Sequence, residues 1–131
     1  MSNIKKFNLT INNLVNDIIL VFPDYEYLRV FKEKFNLLTQ FNVRKSIEYF
    51  KNGIYIYKEQ IVNRNEDFFI KRNYNEDIKD LQYDSQYDSQ WSLDQVLNLK
   101  DLWSKLDDEN KNIIWIYFNV LIKIVELEYK L

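Results

Sequence analysis

Apolar residues return every three or four positions along most of this 131-residue chain, and that spacing suits helices. Phe7, Ile11, Leu14, Ile18 and Phe22 form one stripe, which Val15 and Ile19 widen. Pro23 biases Phe22 away from the helical region, so a first helix ends there and Pro23 is expected to open the next in its first turn. A second helix runs from about Asp24 to Gln40. It carries Leu28, Phe31, Phe35 and Leu38 on one face, with Arg29, Lys32, Glu33, Asn36 and Gln40 on others. A third starts near Asn42 as N-cap, with Val43, Ile47, Phe50 and Ile54 as its stripe.

The single glycine, Gly53, leaves two readings. It ends the third helix as a left-handed cap, with a new helix from Ile54 to Val62, or one helix continues through it with a kink. The run Ile54-Tyr55-Ile56-Tyr57 alternates as a strand would, but no partner strand is in view and helix is favoured. Beyond Val62 the pattern weakens. A short helical turn is expected around Glu66 to Ile70, its phenylalanines plugging the core, followed by loop.

The tetrapeptide Tyr83-Asp84-Ser85-Gln86 repeats as Tyr87-Asp88-Ser89-Gln90, which reads as an exposed polar loop near residues 82–91. Ser92 and Gln95 then form a capping box for a helix from Leu93 to about Leu106. Asp107, Asp108 and Glu109 supply negative charge where the next helix begins. That last helix, Glu109 to Tyr129, is apolar over more than half its circumference, as central helices of bundles are. One bundle or a dimer interface could each satisfy so wide an apolar surface, so a homo-oligomer stays open. The expectation is a single all-α domain over residues 1–131, a compact irregular or orthogonal bundle of about five to six helices.

Composition narrows the chemistry. The chain lacks cysteine and histidine, which excludes disulfides, thiolate nucleophiles, Cys-zinc sites and any Ser-His-Asp or Cys-His arrangement. Carboxylate, lysine and tyrosine chemistry remains, as does a magnesium or calcium site built from oxygens. It also lacks alanine, so its helices depend on packed faces more than on intrinsic propensity. The N-terminal residues 1–6 carry two lysines, but the following apolar stretch is broken by Asn8, Asn12, Asn13, Asn16 and Asp17. Neither a signal peptide nor a transmembrane helix is expected, nor a membrane partner.

The acidic clusters have simple explanations. Asp107, Asp108 and Glu109 are adjacent and cannot all face one metal. Glu76, Asp77 and Asp80 could place two carboxylates on one helical face at i and i+3 or i+4, but no phosphate-binding glycine loop accompanies them. No catalytic residue, cofactor or metal ligand is assigned, and the chain is expected not to be an enzyme.

Charge is uneven along the sequence. Residues 1–72 carry 12 basic and 8 acidic residues, and residues 73–131 carry 6 basic and 12 acidic. Complementary packing of the two halves explains this best; chance in a chain of this size and a basic face for nucleic acid or an acidic partner are the alternatives. The candidate nucleic-acid contacts are Arg44, Lys45, Lys51 and Lys58, interleaved with Tyr49, Tyr55 and Tyr57. The pI near 5.2 and the lack of a nucleic-acid motif weigh against it. Among the aromatics, Trp103 and Trp115 sit in helical stripes and belong to the core. Tyr83, Tyr87 and Trp91 are the candidate contact strip for a protein partner, although Trp91 could instead staple the helix that follows.

The order of Phe22-Pro23, Tyr57-Lys58-Glu59-Gln60-Ile61, Asn65-Glu66-Asp67-Phe68-Phe69, Leu102-Trp103-Ser104-Lys105-Leu106 and Ile114-Trp115-Ile116-Tyr117-Phe118 resembles a group of small uncharacterised helical proteins of giant nucleocytoplasmic DNA viruses, of the mimivirus-like kind. It spans about Phe7 to Tyr129 except the tandem repeat. Abundant Asn, Ile, Lys, Tyr and Phe, all encoded by A/T-rich codons, agree with such a source. The matching positions are packing positions and carry no chemistry. The resemblance implies a viral protein in the host cytoplasm, a viral factory or a virion. The leading expectation is therefore a non-catalytic interaction module with a viral or host protein partner.

Overall fold

The structure, a computed structural model, describes residues 1–71 and 101–131. It is all-α, with no strand among the described residues. The chain divides into two compact units, Met1–Glu48 with Tyr117–Leu131, and Tyr49–Ile116.

In the first unit, α1 (Asn3–Val21) starts at Ser2, whose hydroxyl accepts from the Lys5 amide at 3.1 Å. Its stripe is buried as the spacing implies, through Phe7, Ile11, Leu14, Val15 and Ile18. Phe22 leaves the helix at φ −127° and ψ 68°, the restriction a following proline imposes, and its amide closes the last turn on the Ile18 carbonyl. Pro23 does not open the next helix. It sits in a turn, its carbonyl accepts from the Arg29 guanidinium, and α2 (Glu26–Phe41) begins three residues later. Leu28 and Phe35 bury one face of α2, which packs against α1, and the Phe31 ring stacks on Phe35 with centroids 6.0 Å apart.

Asn42 also departs from its expected role. It closes α2, and its side-chain oxygen accepts from the Arg44 amide at 3.1 Å, so the chain turns for two more residues before α3 (Lys45–Gly53) begins. Asn42 thereby tightens the turn between two helices instead of capping the second. The start of α3 is tied to α1 by Asn8. Its amide nitrogen donates to the Val43 carbonyl at 3.1 Å, and its oxygen accepts from the fully buried Ser46 hydroxyl.

The last helix, α6 (Asp108–Tyr129), adds Leu121, Ile122, Ile124 and Val125 to this core. Its start falls within the acidic run as expected, with Asp108 and Glu109 in its first turn and the Asp107 carboxylate accepting from the Asn110 amide at 2.8 Å. The helix is not wrapped on all sides, however. Ile113, Ile116, Val120 and Leu127 lie on an exposed arc apart from the buried one.

In the second unit, Gly53 is buried at the end of α3 without a positive φ, so it is not a left-handed cap. Backbone bonding continues past it, from the Ile54 amide to Phe50 at 2.8 Å, into a 3-10 turn at Tyr55–Tyr57 and then α4 (Lys58–Val62). Residues 55–62 are thus helical, with Ile54 in the turn before them, and the strand-like alternation is local. Among the described residues of this unit, Arg64 takes a left-handed position, at φ 52°. The Arg64 amide bonds the Ile61 carbonyl at 3.0 Å and the Asn65 amide bonds Gln60 at 2.9 Å, the paired closure of a Schellman motif. Asn65 then caps α5 (Glu66–Lys71) by accepting from Phe68 at 3.2 Å.

Tyr57, Phe68, Phe69, Trp115 and Trp103 form a chain of ring contacts with successive centroids 5.7, 5.2, 6.1 and 5.2 Å apart. The Phe68-Phe69 pair expected to plug the core packs against these rings but stays half-buried. Leu102, Trp103 and Leu106 are buried at the end of the helix foreseen up to Leu106, which gives way to a turn after residue 103. Its capping box lies outside the described residues.

Candidate functional site

Among the described residues, the most exposed large apolar side chain is on α2. Phe41, the last residue of that helix, is 88% exposed and Leu37 is 54% exposed. With Val30 they recur at steps of seven and four, which places all three within about 40° of one another around the helix and along about 16 Å of it. Burying Leu28 and Phe35 on the opposite side turns this second stripe outward. Glu33 and Lys34 flank it, giving an apolar ridge with a polar border. The spacing was available in the sequence. The inward stripe, with its two phenylalanines, was the stronger signal and concealed it.

Of the basic candidates, Arg44 and Lys45 are adjacent at the start of α3 in the first unit. Each faces a carboxylate, Arg44 with Glu128 at 3.4 Å and Lys45 with Glu48 at 3.7 Å. Burial raises the pKa of the nearby Tyr129 hydroxyl, the Glu48 charge adds to the rise, and Arg44 opposes it. Lys51 and Lys58 belong to the second unit, on α3 and at the start of α4. Tyr49 and Tyr57, interleaved with them in sequence, are buried, and Tyr55 is half-buried, which limits the aromatic surface open to a base. The strip Tyr83, Tyr87 and Trp91 lies outside the described residues, as do Glu76, Asp77 and Asp80.

Two polar clusters were not foreseen. In the second unit the Glu66 carboxylate accepts from the Trp103 indole N–H and, at 2.9 Å, from the Lys111 ammonium. Lys111 also stands 5.5 Å from the centre of the Trp103 ring. The buried indole thus finds the acceptor it requires. Donation from Lys111 first, and from Trp103 second, lowers the Glu66 pKa against a smaller opposing effect of burial. A carboxylate so held stays ionised and bound to its donors, which suits a structural clasp better than proton transfer.

In the first unit the Tyr117 hydroxyl donates to Asp17. Burial and then that bond push the Tyr117 pKa up to about 12. Among the described residues, no three acidic side chains gather as a metal site, and no helix is long and apolar enough to cross a membrane.

No protein-family model matches the chain, and no curated protein or solved structure matches it.

Proposed function

We propose that this chain is a non-catalytic protein-interaction module. In the setting its viral resemblance implies, that is a virion or viral-factory component, or an adaptor directed at a host protein. One observation carries the reading: the Val30, Leu37 and Phe41 ridge is an aromatic-tipped apolar surface on a well-packed helix. Aromatic side chains that become buried against a partner supply much of the energy in protein interfaces.

The test is affinity capture from infected cells with the full chain and with the double variant Leu37→Gln, Phe41→Gln. Glutamine keeps helix propensity and adds no charge near the helix terminus. The variant is expected to weaken partner binding on the order of tenfold or more while leaving thermal stability unchanged. Retention of every partner at wild-type affinity would reject this surface.

A second reading, association with nucleic acid, draws on Arg44 and Lys45, whose side chains are 48% and 42% exposed. The carboxylates facing both residues weaken that reading. Binding to DNA or RNA at low salt, reduced by changing Arg44, Lys45 and Lys51 to Glu, would support it, and no binding at low salt would remove it.

A further inference from the structure

We draw no further inference here: the strongest candidate, the exposed apolar stripe of Ile113, Ile116, Val120 and Leu127 along α6, carries nothing because nothing in the structure shows what covers it.

Discussion

Trp103 donates its indole N–H to the carboxylate of Glu66, a residue 37 positions earlier in the chain. Lys111 donates to the same oxygen and lies against the Trp103 ring, so one carboxylate joins α5, the segment around Trp103 and the start of α6 within the second unit.

The pH dependence of this clasp follows from its sign. The folded Glu66 pKa is below its unfolded value, so its contribution is complete above the ordinary carboxylate range and is lost as pH falls through the lowered value. Glu66 keeps 39% of its side chain exposed, and solvent screening holds the ion-pair contribution to within about 1 kcal/mol. The Trp103 indole proton resonance is expected to shift with acid in step with Glu66. In Glu66→Gln that acid transition disappears while the indole retains an acceptor. An unchanged acid transition in the variant would exclude Glu66 as its source.

Tyr117 has the opposite signature, at high pH. Its folded pKa of about 12 exceeds the unfolded value of 10.0. Its stabilising effect is therefore complete below the unfolded value and is lost as pH rises through the folded one. Tyr117→Phe is expected to cost about 1 kcal/mol at neutral pH, the net contribution of one hydrogen bond. Spectrophotometric titration should lose a late-ionising phenol, and the difference in stability between variant and wild type should shrink above the ordinary tyrosine range.

Phe35 and Phe41 are about 1.7 turns apart on the same helix and should respond very differently to truncation. Phe35 is 2% exposed, and Phe35→Ala should cost about 3–5 kcal/mol in denaturant unfolding. Phe41 is 88% exposed, and Phe41→Ala should change stability by no more than about 0.5 kcal/mol. A large cost at Phe41 would mean that it is packed within the chain and is not open to a partner.

Lys130 offers a backbone test. It sits at φ 56°, and the Leu131 amide bonds the Glu126 carbonyl at 3.0 Å, closing α6. A side chain at a left-handed position costs about 1–2 kcal/mol, partly offset by the extra freedom glycine brings to the unfolded chain. Lys130→Gly should therefore stabilise the protein by about 0.5 kcal/mol, visible as a higher melting temperature.

Helix positions were largely legible before the fold. The stripes from Phe7 to Ile18, the proline after Phe22 and the acidic run at Asp107 located α1, its end and the start of α6 to within a few residues. Each is a local signal, because a 3.6-residue period, a pre-proline restriction and a capping carboxylate act within one or two turns. The glycine was a weaker guide. Gly53 keeps an ordinary backbone in a buried place, while Arg64 and Lys130 take the left-handed positions that end their helices.

The sequence by itself thus determined that the chain is helical and where most helices lie. Tertiary structure alone decided which apolar stripe of α2 and of α6 turns inward, and which acceptor the Trp103 indole finds. The physical reason is distance along the chain. Periodicity shows that a helix has an apolar face, but choosing between Phe35 and Phe41, or bringing Glu66 to Trp103 and Lys111, depends on neighbours supplied by remote segments. The candidate surface exists because that choice left Val30, Leu37 and Phe41 outside.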